Sequence, residues 1–143
     1  MRKNKGFTLI ELVVVVMILG ILAAVAAPKL LNTSGTASDN GLKQTLGVVR
    51  DAIERYAAEH GGALPGEGGA TDFTDDLKPY LRGEEFPTCP VGSMSNDVAI
   101  STSAGTTTVG GNEAWRYNNA DGTFICNSTA TSKSDQNLTY DKF

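Results

Sequence analysis

Residues 5–28, KGFTLIELVVVVMILGILAAVAAP, decide how this chain is built. Leu12 to Ala27 contains 16 residues without one polar side chain, yet the acid Glu11 stands directly before this run. The 22 residues from Phe7 to Pro28, at about 1.5 Å of rise each, make a helix of roughly 33 Å, and a hydrocarbon layer is about 30 Å thick. The segment is therefore predicted to be a transmembrane helix.

The basic residues around this segment predict its orientation. Arg2, Lys3 and Lys5 precede the apolar run, whereas only Lys29 follows it closely. Because positive charge is retained on the cytoplasmic side of a membrane, we expect a cytoplasmic N-terminus and a periplasmic C-terminal part.

Two plain interpretations of the apolar segment compete with a specialised one. A secretory signal peptide would use the small residues Ala24-Val25-Ala26 as its cleavage site, but the run of 16 residues exceeds the usual length of about 7–15. A simple membrane anchor explains length and orientation. It leaves Glu11 unexplained, since a carboxylate at the centre of a membrane segment costs up to about 2.5–3.5 kcal/mol.

The heptapeptide KGFTLIE at residues 5–11, with the apolar run and Pro28 behind it, resembles the N-terminal signature of type IV pilins and type II secretion pseudopilins. The resemblance covers about the first quarter of the chain. It implies that prepilin peptidase cuts between Gly6 and Phe7 and that the new amino group of Phe7 is methylated. It also implies that Glu11 and Pro28 serve assembly. The implied partners are the inner membrane, its assembly platform and other pilin-like subunits, which form a homopolymer in a pilus or a secretion pseudopilus.

The role that the resemblance implies for Glu11 is to neutralise the terminal amine of a neighbouring subunit. Two unit charges about 4 Å apart attract by about 4 kcal/mol at an effective dielectric constant of 20. A subunit docked one step out of register would leave both charges buried without a partner, and this would cost several kcal/mol of binding free energy. The pair would therefore set register as well as affinity.

The predicted fold class is α+β, with a long N-terminal helix packed on a small antiparallel β-sheet domain. Four parts are expected, namely a leader (1–6), a transmembrane helix (7–28), an amphipathic half of the same helix (29–62) and a β-rich periplasmic domain (63–143). Pro28 should bend the helix rather than end it. Residues 32–41, NTSGTASDNG, are poor helix formers and predict either the weakest part of the helix or a loop.

Helical periodicity returns after this segment, and the apolar positions there define one stripe. The stripe consists of Leu42, Leu46, Val49, Ile53 and Tyr56. Further on, residues 71–81 predict a short helix or turn that directs Phe73, Leu77, Tyr80 and Leu81 inward. Short strands are expected at Val98–Thr102 and Thr106–Val109, and residues 113–127 predict a hairpin with Asp121-Gly122 in its turn.

Two cysteines, Cys89 and Cys126, occur in a chain with an export-like N-terminus, which predicts one disulfide. In the chain-entropy model, a disulfide that closes a loop of this length stabilises the folded state by roughly 4 kcal/mol, because it restricts the unfolded chain. Two unpaired buried thiols are the alternative.

Charge and residue types argue against catalysis and nucleic-acid binding. The net charge is −4, and removal of the first six residues leaves 9 basic against 16 acidic residues, or −7. The single histidine, His60, has no partner at ligand spacing and is expected to cap a helix, while Asp121, Asp135 and Asp141 are too scattered for a calcium loop. We therefore expect no enzyme, no metal and no cofactor.

The alternative to a filament subunit is a membrane-tethered periplasmic binding domain that does not polymerise.

Overall fold

The fold is taken from a computed structural model, which describes residues 6–83, 85–105 and 107–143. Two α-helices, α1 (Leu9–Glu59) and α2 (Ala70–Leu77), precede three short strands. The strands are β1 (Val98–Ser101), β2 (Trp115–Asn118) and β3 (Phe124–Cys126). Single 3₁₀ turns lie at Lys78–Tyr80 and Tyr140–Lys142. The predicted α+β class is confirmed. The chain divides into two compact units, one ending at Gly35 and one from Thr36 to Phe143.

Helix α1 continues through both positions where the sequence predicts weakness. Pro28 lies inside the helix and does not end it. Residues 32–41 are helical as well, so the alternative of a loop between two helices is wrong. Since Ser, Thr, Asp and Asn compete with the helix for backbone hydrogen bonds, their helical state requires support from elsewhere in the fold.

The apolar stripe on α1 enters the core of the second unit, as its spacing predicts. Leu42, Leu46, Val49 and Ile53 are buried, and Tyr56 packs against the same cluster. The other side of the core is mostly aromatic, with Phe73 from α2 stacked on Tyr117 at 4.1 Å between ring centroids. Leu77 is fully buried, and Tyr80 and Leu81 pack at the margin of the core. The inward residues predicted for 71–81 are thus confirmed.

The sheet is mixed rather than wholly antiparallel, which corrects the predicted architecture. Strand β1 pairs with β2 in parallel, and β2 pairs with β3 antiparallel. The connection from Ser101 to Trp115 spans 13 residues, long enough to return the chain to the same end of the sheet, as parallel pairing requires. The strand predicted at 106–109 does not form over residues 107–109, and Thr106 lies outside the described residues.

The hairpin between β2 and β3 forms as predicted, with Asp121 and Gly122 in its turn. Gly122 has φ +77°, a left-handed conformation that favours glycine. The Asp121 carboxylate accepts hydrogen bonds from the backbone N–H groups of Gly105 (3.0 Å) and Thr123 (2.9 Å). The turn is therefore tied to the loop that follows β1.

The segment after β3 is a loop rather than a strand. An isolated bridge joins Thr131 to Thr139, and the 3₁₀ turn at Tyr140–Lys142 closes the segment. Buried Tyr140 fixes this segment to the core.

Candidate functional site

The predicted processing site lies immediately before α1. Residues 6–8 precede the helix without regular structure, and the Phe7 side chain is 87% exposed. A Cβ atom added to Gly6 would meet nothing within 4 Å. Packing of the described residues therefore places no demand for glycine at position 6. The basic residues Arg2, Lys3 and Lys5 lie outside the described residues.

Glu11 has a local partner that was not predicted from the sequence. The Glu11 carboxylate oxygen accepts hydrogen bonds from the backbone N–H of Thr8 at 2.9 Å and from the Thr8 hydroxyl at 2.8 Å. In return, the N–H of Glu11 donates to the Thr8 hydroxyl oxygen at 3.3 Å. This is a capping box, whose signal is Thr-x-x-Glu directly before an apolar run. Within the single chain, Glu11 therefore caps the beginning of α1.

The apolar side chains of the first unit are exposed. Leu9, Ile10 and Leu12 are all more than 60% exposed, and the large apolar residues from Val13 to Val25 are exposed as well. Within the described residues, α1 is the one helix long and apolar enough to cross a membrane, and none of its most apolar 18-residue window is buried. A surface of this kind requires lipid or neighbouring apolar helices to cover it.

The predicted site residues are distributed along one helix. The structure brings Thr8 and Glu11 together at the beginning of α1, while Pro28 lies much further along it. Their predicted roles in assembly depend on other subunits, so the geometry of one chain leaves those roles as predictions.

The two cysteines lie side by side in the core. Both are fully buried, and their Sγ atoms are 3.6 Å apart as free thiols. Cys89 follows Pro87 closely, and Cys126 ends β3. The two sulfur atoms are thus neighbours, and the disulfide remains a prediction.

Asp39 is a second candidate residue that the sequence pattern did not reveal. Its side chain is fully buried, and one of its carboxylate oxygens, Oδ2, accepts hydrogen bonds from the Ser132 hydroxyl (2.8 Å) and from the hydroxyl and N–H of Ser134 (both 2.6 Å). Its other oxygen, Oδ1, accepts one from the Tyr140 hydroxyl at 2.9 Å. We call Asp39, Ser132, Ser134 and Tyr140 the Asp39 clasp.

The hydrogen bonds of the clasp lower the pKa of the Asp39 carboxyl group. Burial acts to raise the pKa of Asp39, but the hydrogen bonds from Ser134, Ser132 and Tyr140 outweigh burial and lower the pKa from 3.8 to about 2. One sequence signal could have found this residue, because Asp39 precedes Leu42 by three positions and so continues the buried stripe of α1.

The remaining polar candidates have separate local partners. His60 Nδ1 contacts the carbonyl oxygen of Tyr56 at 2.8 Å near the end of α1, which fits its predicted capping role. Asp135 accepts from the N–H of Asn137 at 3.0 Å, and Asp141 pairs with Lys142 at 3.2 Å. Among the described residues, the acids and ligand-type side chains form no group that could hold a metal ion.

Comparisons with known proteins find one N-terminal motif and several similar proteins. A family model described as the prokaryotic N-terminal methylation motif matches residues 1–27. Prepilin peptidase-dependent protein D of Escherichia coli is 43% identical over 70 residues, which are 49% of this chain and 48% of that protein. Fimbrial protein EcpB of Eikenella corrodens is 47% identical over 62 residues, 43% of this chain and 38% of that protein.

A secretion protein is also similar to part of the chain. Type II secretion system core protein G of Vibrio cholerae is 38% identical over 60 residues, 42% of this chain and 41% of that protein. The chain spans less than half the length of these relatives, and no solved structure matches it significantly. Up to about half of this chain is therefore similar to fimbrial and type II secretion proteins, and its first 27 residues match the N-terminal methylation motif.

Proposed function

We propose that this protein is a structural subunit that waits in the inner membrane and is polymerised into a type IV pilus or a type II secretion pseudopilus. In this proposal, prepilin peptidase removes residues 1–6 and the amino group of Phe7 is methylated. The membrane holds α1 with its beginning at the cytoplasmic side, and the unit from Thr36 onward lies in the periplasm. The protein carries out no catalysis and needs no cofactor.

The observation that carries the proposal is an exposed apolar helix that begins with a single acid behind the methylation motif. The apolar surface from Leu9 to Leu30 has no cover within its own unit. Lipid can cover it in a lone subunit, and the same surface of other subunits can cover it in a filament. A helix that must exchange one apolar environment for the other suits a subunit that leaves the membrane during assembly.

Within the filament, Glu11 would compensate the terminal amine of the next subunit. The capping box with Thr8 keeps the carboxylate at the start of α1, close to where cleavage after Gly6 would create an amine. Buried amines and carboxylates are tolerated in an apolar bundle only as pairs. Pro28 has no backbone N–H to donate within the helix, so it would be the position at which α1 bends as helices pack together.

The first experiment determines the N-terminus of the protein purified from its native membrane by mass spectrometry. We expect a methylated Phe7 as the first residue. A chain that begins at Ala27 would show ordinary secretion, and a chain that retains Met1 would show a simple anchor; either result would overturn the proposal.

The second experiment separates the charge of Glu11 from its capping role. Glu11→Gln retains the capping geometry, because Gln can replace Glu in a capping box, but it removes the negative charge. We expect normal membrane insertion and at least about a tenfold loss of incorporation into filaments, since the charge pair is worth several kcal/mol. Filament content is measured by shearing and quantitative immunoblotting.

Thr8→Ala is the matched control, because it removes the hydroxyl of the capping box and leaves the charge. We expect incorporation close to that of the unmodified protein. A tethered, non-polymerising binding domain would tolerate both substitutions equally, and that outcome would favour the alternative function.

A further inference from the structure

The helical state of residues 36–41 is at odds with their composition. Of the six residues in TASDNG, only Ala37 is a strong helix former. Ser, Thr, Asp and Asn favour turns and caps because their side chains compete for backbone hydrogen bonds, and glycine loses the most entropy in a helix. The second unit nevertheless begins at Thr36 with this segment as part of α1.

The Asp39 clasp joins this segment to residues that are distant in sequence. Its hydrogen bonds to Asp39 span 93 to 101 positions of the chain. The carboxylate is fully buried, and the described residues show no cation paired with it, only the donors of Ser132, Ser134 and Tyr140. The charge of Asp39 therefore stays buried only while these donors remain in place.

The dependence runs in both directions. Ser134 directs both its N–H and its hydroxyl to the same oxygen of Asp39, so the carboxylate organises the loop as much as the loop holds the carboxylate. If the donors move away, Asp39 must reach water, and the helical turn that carries it must move as well.

We propose that the loop from Ser132 to Tyr140 is a conformational lock, which keeps residues 36–41 helical through Asp39 and releases them as a non-helical joint when the clasp opens. The lock explains why a segment of poor helix formers is helical at the beginning of the second unit. It is independent of whether the subunit polymerises.

Hydrogen exchange of the full chain in detergent micelles tests the lock. We substitute Ser134→Ala, and we also use Tyr140→Phe as a milder variant that removes one hydroxyl. In both variants we expect the amides of residues 36–45 to exchange at least about tenfold faster relative to those of β2, because a buried partner of a charged group is lost. Asp51→Asn, at an exposed position on the same helix, should leave their exchange unchanged.

A rescue variant tests whether the lock acts through helix formation. Asn40 is exposed, and a Cβ atom on Gly41 would meet only Pro90 Cγ at 3.9 Å, an ordinary contact. Asn40→Ala with Gly41→Ala therefore raises helix propensity without a clash. Added to Ser134→Ala, this pair should restore slow exchange in residues 36–45 while residues 131–140 still exchange fast.

Two outcomes would overturn the proposal. In the first, Ser134→Ala and Tyr140→Phe accelerate exchange only in residues 131–140, which would show that the helix holds itself. In the second, β2 exchanges faster by the same factor as residues 36–45, which would show general destabilisation rather than a local joint.

Discussion

At the scale of single residues, two acids on α1 illustrate what a carboxylate can do in contrasting surroundings. Glu11 is exposed in the single chain and bonds to Thr8, three residues before it. Asp39 is buried and bonds to a loop more than 90 positions away. The first contact can be predicted from a local motif, whereas the second depends on how the chain returns to the helix.

The lowered pKa of Asp39 predicts a defined pH dependence of stability. Because the folded protein holds this pKa at about 2, below its ordinary value of 3.8, the unfolded chain takes up a proton at a higher pH than the folded one. The stabilisation is therefore complete above about pH 4 and is lost as the pH falls toward about 2. Urea unfolding at several pH values measures it.

Asp39→Asn is the matched variant for this measurement, because it removes the titrating group and retains its shape. We expect it to be less stable than the unmodified protein at pH 6 and to lose less stability between pH 4 and pH 2. Equal losses in the two proteins over this interval would contradict the prediction.

At the scale of elements, the β2–β3 hairpin depends on a turn that is supported from two sides. Asp121 bonds to the turn itself through Thr123 and to the loop after β1 through Gly105. Gly122 takes the left-handed conformation that closes the turn. The same short turn connects two strands and a loop. A substitution that strains this turn should therefore destabilise the whole sheet.

Gly122→Ala is predicted to destabilise the protein by about 1–2 kcal/mol, the usual cost of a left-handed conformation for a residue with a Cβ atom. The added Cβ would also lie 3.3 Å from Leu64 Cδ2. Urea unfolding gives the difference. Gly110→Ala is the control, since a Cβ there meets nothing within 4 Å, and an equal loss in both variants would refute the turn argument.

At the scale of the whole molecule, the core of the second unit assembles residues from nearly all of its length. Leu42 and Leu46 come from α1, Phe73 from α2, and Trp115 and Phe124 from the hairpin. The two buried sulfur atoms of Cys89 and Cys126 lie within this core. A covalent bond between them would close the segment that contains β1 and β2.

The predicted disulfide has a measurable consequence. Protein isolated from its native membrane should show no reactive thiol in denaturant until a reductant is added, and reduction should lower the free energy of unfolding by roughly 4 kcal/mol. The double variant Cys89→Ala with Cys126→Ala should be insensitive to the reductant. Two thiols that titrate without reductant would show that the pair remains free.

Local patterns predicted a large part of this structure. The apolar run, the stripe from Leu42 to Ile53 and the hairpin around Gly122 depend on spacing and turn chemistry within a few residues, and the structure has all three. The parallel pairing of β1 with β2 was not predicted, because it depends on how a connection of 13 residues crosses the sheet.

The sequence by itself determined the exposed apolar helix, its methylation motif and the acid at its beginning, because each of these depends only on residues that are adjacent in the sequence. Only the tertiary structure decided that a polar stretch such as residues 36–41 is helical and that Asp39 is buried. The physical reason is that an ionised carboxylate can be buried only where several donors converge on it, and here those donors come from the far end of the chain.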